Sequence, residues 1–117
     1  MQLELNNRKA GMDENVTREA KLQLRFFLSR FNETVLRVKA TFSDVNGPKG
    51  GLDKLCIITA KMKTVGQITV QNTGHDYIEA LVLCLDKLVR AIRRDIDIRR
   101  TKPIRKNRMN IYTIFDN

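Results

Sequence analysis

Along this chain the spacing of apolar residues switches from every second position to every third or fourth and back, and that switch restricts the fold more than any other feature. A period of two places apolar side chains on one face of a strand, whereas a period near 3.6 places them on one stripe of a helix. Gln2-Leu3-Glu4-Leu5 alternates and predicts a short first strand with Leu3 and Leu5 inward. Asp13 then offers an N-cap and Glu14 a favourable first-turn acid, ahead of Val16, Ala20, Leu24, Phe27 and Phe31 at helical spacing. The spacing predicts a helix over 14–31. Alternation returns over 35–44, with Leu36, Val38, Ala40 and Phe42 on one face and Arg37, Lys39, Thr41 and Ser43 on the other. A glycine-rich loop at 46–51 separates this strand from an apolar, β-branched run at 55–62.

Residues 63–65 connect that run to a further alternating strand over 67–71, after which Gly74 marks a break. Asp76, with Glu79 three residues later, forms a capping-box start for a second helix. Tyr77, Ala80, Leu81, Cys84, Leu88, Ala91 and Ile92 supply its buried stripe, which the pattern carries to about residue 96. The order β-α-β-β-β-α predicts an α+β sandwich, a four-stranded, mainly antiparallel sheet with two helices packed on one face. Residues 1–100 form the one domain, and 101–117 a basic, then apolar, C-terminal tail.

Composition narrows what such a domain does. With 42% hydrophobic and 30% charged residues the chain has enough large apolar groups to fold as a globular unit. Its net charge of +9 points to a polyanionic partner. Nine basic and two acidic residues between Arg90 and Arg108 place +7 of that charge near the chain's end. Cys56 and Cys84 lie in apolar segments without metal-ligand spacing and read as buried free thiols. The first ten residues are polar with no apolar leader core, and no run reaches membrane-spanning length, so the expected location is the cytoplasm.

Nothing in the sequence assembles a catalytic constellation. His75, the single histidine, precedes a helix cap with no triad partner nearby, and reads as a surface residue. Gly47 to Gly51 with Lys49 lacks the Gly-Lys-Ser/Thr helix start of a phosphate loop, and a strand follows instead. The expectation is therefore a binding protein, not an enzyme, with no cofactor, metal or small-molecule substrate. Lys87, Arg90 and Arg94 stand at i, i+3 and i+7 on the second helix, with Arg93 beside them, and Arg18, Lys21 and Arg25 repeat the spacing on the first. Packed side by side, the helices would present two cationic rows about 10 Å apart. Two such rows suit the phosphate ridges of folded RNA. Glu19, Glu79 and Asp86 dilute them, and a merely solvated face is the competing reading.

Three segments resemble the ribosome hibernation-promoting factor family, also known as ribosome-associated inhibitor A or sigma-factor modulation proteins, over about residues 1–96. They are Asp44-Val45-Asn46-Gly47-Pro48-Lys49-Gly50-Gly51-Leu52-Asp53-Lys54-Leu55-Cys56, similar to the hairpin of a short-form branch; Gly74-His75-Asp76-Tyr77-Ile78-Glu79-Ala80 with Asp86-Lys87-Leu88-Val89-Arg90; and, more loosely, Leu24-Arg25-Phe26-Phe27-Leu28-Ser29-Arg30-Phe31. The resemblance implies the same element order, and a stress-response factor that binds small-subunit ribosomal RNA and blocks the groove for messenger and transfer RNA. It carries the family's basic helix-two positions onto Lys87, Arg90 and Arg94, and helix one's onto Arg18, Lys21 and Arg25. Leu81-Val82 replaces the family's usual Ile-Asp, and 101–117 is too short for the separate dimerisation domain of long-form members. Self-association through the tail, where Met109, Ile111, Tyr112, Ile114 and Phe115 follow the basic residues, stays open. A general structured-RNA module and an adaptor that meets an acidic protein, with Leu22 and Phe26 as apolar anchors, are the alternative readings.

Overall fold

The computed structural model describes residues 1–45, 53–64 and 66–101, apart from the side chains of residues 8, 9 and 99–101. Its elements are β1 (Gln2–Lys9), α1 (Glu14–Leu28), a 3-10 turn (Ser29–Phe31), β2 (Val35–Asp44), β3 (Lys54–Met62), β4 (Gln67–Gly74) and α2 (Tyr77–Thr101). The sheet runs β1-β2-β3-β4, with β1 parallel to β2 and the other two pairings antiparallel. A parallel pair needs a crossover connection, which α1 provides. Both helices cover one face, as the periodicity predicts, and pack against each other.

The core lies between sheet and helices. Val38, Ala40, Phe42, Cys56, Ile58, Ala60 and Met62 face inward from β2 and β3. Leu24 and Leu28 of α1 meet them, with Leu81, Leu85, Leu88 and Ile92 of α2. Leu3 and Leu5 of β1 pack against this cluster.

Several details depart from the sequence reading. Leu36 is not with Val38, Ala40 and Phe42 but turned outward and 42% exposed. The register passes from Val35↔Met62 directly to Arg37↔Lys61, so Leu36 is the extra residue of a β-bulge. A bulge resets the alternation, and Val35 takes the inward place. α1 stops at Leu28 and tightens into the 3-10 turn, which still buries Phe31. α2 continues to Thr101, beyond the predicted end near 96, because arginine is a good helix former and solvent-side charge does not break a helix. β1 extends to Lys9, four residues past its predicted end, and β4 to Gly74, three past. The loop at 46–51 and the tail after Thr101 lie outside the described residues.

Gly74 joins β4 to α2 at close quarters. A Cβ there would stand 2.7 Å from the Ala80 backbone nitrogen, so the approach of strand end to helix start requires glycine.

Candidate nucleic-acid interface

Local chemistry fixes where each helix starts, and so where its basic residues stand. Asp13 Oδ1 accepts from the Val16 N–H at 2.8 Å, and Asp76 Oδ1 accepts from the Glu79 N–H at 2.8 Å. Glu79 Oε1 in return accepts from the His75 N–H at 2.5 Å and lies 3.2 Å from its ring Nδ1. His75 thus belongs to the cap. Among the described residues no group of three or more His, Cys, Asp and Glu side chains could hold a metal ion.

A polar node ties the start of α2 to the base of the β2–β3 hairpin. Lys54 Nζ lies 3.0 Å from Asp44 Oδ2 and 3.2 Å from Asp53 Oδ2, and 5.7 Å from the centre of the Tyr77 ring. Tyr77 packs edge-on against Phe42 and donates its hydroxyl to the Ala10 carbonyl at 2.5 Å. The hydrogen bond to Asp44 raises the Lys54 pKa above its ordinary value, with burial opposing it. Burial, and then the charge of Asp44, raise that of the Tyr77 hydroxyl. Asp53 is 2% exposed, so Lys54 is what compensates a carboxylate removed from water. The motif residues shared by the hairpin and helix-two segments therefore hold the two segments together.

The basic side chains predicted for the site are all exposed. Arg18, Lys21 and Arg25 lie on the side of α1 away from its buried Ala20, Leu24 and Leu28. Arg18 reaches Asn15 Oδ1 at 3.1 Å. On α2, Arg90 pairs with Asp86 at 2.7 Å, a solvent-exposed contact of the kind that contributes little and that a phosphate can displace. Lys87 instead donates to the Gln71 carbonyl of β4 at 3.0 Å. It therefore sits over the sheet's open edge, apart from the α1–α2 seam. Arg93 and Arg94 are exposed one turn further on.

A second cationic group went unread in the sequence. Arg37 pairs in register with Lys61 on the sheet face opposite the helices, with Lys39 two residues along and exposed like them. The alternation of Arg37, Lys39 and Thr41 was visible, but only the β2–β3 register brings Lys61 beside Arg37. Cys56 and Cys84 are free and buried; Cys84 Sγ donates toward the Cys56 carbonyl at 3.5 Å. Hydrogen bonding to Cys84, with burial, pushes the Cys56 thiol pKa up.

No known family profile matches the chain, and no curated protein matches it in sequence. What fold and surface define is a class: an α+β sandwich whose helical layer presents exposed arginines and lysines. Among solved structures, that fold is shared with a ribosomal subunit interface protein from Coxiella burnetii, at a TM-score of 0.63 and 18% identity, over 83% of this chain and 99% of that one. It is shared too with the N-terminal domain of Protein Y from Thermus thermophilus, at 0.58 and 18%, over 80% and 93%.

Proposed function

We propose that this protein binds the small ribosomal subunit through its RNA and occludes the path of messenger and transfer RNA, as a hibernation factor that holds idle ribosomes inactive during stress. The observation that carries the reading is the combination of this fold, shared with a ribosomal subunit interface protein, and a helical layer from which Arg18, Lys21, Arg25, Arg90, Arg93 and Arg94 all reach solvent. Phosphate neutralisation by such residues releases condensed counterions whatever the base sequence, so shape and charge dominate recognition. Lys87, at the sheet edge, extends the cationic surface toward β4. The action is steric and needs no catalytic group or cofactor. No described helix is long and apolar enough to cross a membrane, and the proposed place of action is the cytoplasm.

The test is sedimentation of the purified protein with small subunits, paired with cell-free translation. Co-migration together with dose-dependent inhibition is expected. Migration with free RNA but not with intact subunits would replace this reading with a general RNA-binding module.

A further inference from the structure

The outward face of α1 carries two large apolar side chains that the fold does not use. Phe26 is 75% exposed and Leu22, one turn earlier, 52% exposed, while the helix buries Ala20, Leu24 and Leu28 on its other side. Two arginines stand at helical spacing from Leu22. Arg18 and Arg25 stand four before and three after Leu22, whereas Arg30, in the 3-10 turn beyond the helix, places its guanidinium 5.8 Å from the centre of the Phe31 ring. The acid among these neighbours, Glu19, accepts a hydrogen bond from Gln23 Nε2 at 2.8 Å. Phe27, half-buried, meets the Phe26 ring edge to face, at 5.7 Å between centroids and 81° between planes, which sets the orientation of the exposed ring.

An exposed aromatic ring on a helix face that also carries the exposed Arg18 and Arg25 matches a ligand that joins flat rings to phosphates. We propose that Phe26 is a stacking platform for an unpaired nucleobase of the RNA that the basic helical layer holds, with Leu22 packing beside the base and Arg18 and Arg25 on the flanking phosphates. This rests on the RNA-binding reading above and adds a contact that phosphate neutralisation alone does not supply. Aromatic side chains hold single-stranded bases this way in sequence-tolerant RNA recognition. A second copy of the chain is a poor occupant, because a two-fold contact through this face would bring the Arg18 and Arg25 pair close to the same pair of the other copy.

The protein contains no tryptophan, so Phe26→Trp introduces a single tryptophan at the proposed platform, whose emission is read by excitation beyond the tyrosine band. That variant is titrated with intact small subunits and with protein-free small-subunit RNA, and Phe26→Ala and Phe26→Leu are compared with wild type for affinity. Stacking predicts quenched emission with both probes. It also predicts a roughly 5- to 150-fold weaker Kd for Phe26→Ala, with Phe26→Leu losing most of the same affinity. Unchanged affinity in Phe26→Ala overturns the assignment. So does emission that brightens and shifts to the blue on subunits yet stays constant with free RNA, the signature of a protein surface. Quenching by free RNA without binding to intact subunits keeps the platform and removes the ribosomal reading. Binding to neither probe removes both.

Discussion

The ammonium of Lys54 lies 5.7 Å from the centre of the Tyr77 ring, and through that contact the strand leaving the hairpin and the first turn of α2 share one polar anchor. Removing the Tyr77 hydroxyl leaves the Ala10 carbonyl without its side-chain donor. Tyr77→Phe should therefore lower stability by about 1 kcal/mol, or roughly 4 °C in Tm for a domain of this size. Thermal unfolding followed by circular dichroism checks this, and an unchanged Tm would mean that water replaces the phenol at Ala10.

The same anchor predicts an alkaline response. Tyr77 and Lys54 both have folded pKa values above their ordinary ones, so each contributes stability that is complete below the ordinary value, near 10, and lost as pH rises through the folded value. The stability difference between wild type and Tyr77→Phe should shrink once pH passes about 10. Urea unfolding of both proteins at pH 8, 9, 10 and 11 isolates the Tyr77 contribution from the general loss of positive charge. A gap that stays constant across the series would contradict it.

On ribosomal subunits, Lys87→Ala, Arg90→Ala and Arg94→Ala together should weaken binding and reduce the dependence of log K on log salt by roughly 0.7–0.9 per lost phosphate contact. The charge-matched variant Arg37→Ala, Lys39→Ala and Lys61→Ala removes three cations from the opposite sheet face and serves as the control. A smaller loss of affinity is expected there. Equal losses from the two variants would mean that net charge, not the helical layer, drives association.

Gly74→Ala should destabilise the domain by about 1–3 kcal/mol, since the new methyl meets the Ala80 backbone and strand end and helix start must part. Denaturant unfolding measures the loss. Wild-type stability in this variant would show that the junction has slack.

Element order and the inward faces of β1 and α2 were legible because alternation and helical spacing are local properties of the chain. What escaped was set by partners far along it. The bulge that turns Leu36 outward exists only in the pairing with β3, and the Arg37–Lys61 neighbourhood only in its register. Leu28 and Leu85 are buried because α1 and α2 cover the sheet and each other, which widens each apolar stripe beyond the narrow one read from spacing. Of the candidate site, the exposure of Arg18, Lys21, Arg25, Arg90, Arg93 and Arg94 followed from periodicity. The hydrogen bond from Lys87 to Gln71 did not, since it depends on β4 lying at the sheet's edge.

Sheet order that repeats chain order, β1-β2-β3-β4, also bears on how the molecule is made. Each strand's partner has already been synthesised when that strand appears, so pairing can proceed in the direction of translation, with the two antiparallel pairings closing short loops. The inner face of β3, however, stays uncovered until Leu81, Leu85, Leu88 and Ile92 arrive on α2. A nascent chain halted before that helix would hold a paired sheet with Cys56, Ile58 and Ala60 open to water, a species prone to aggregate. Release of α2 from the exit tunnel is thus the step that covers the sheet.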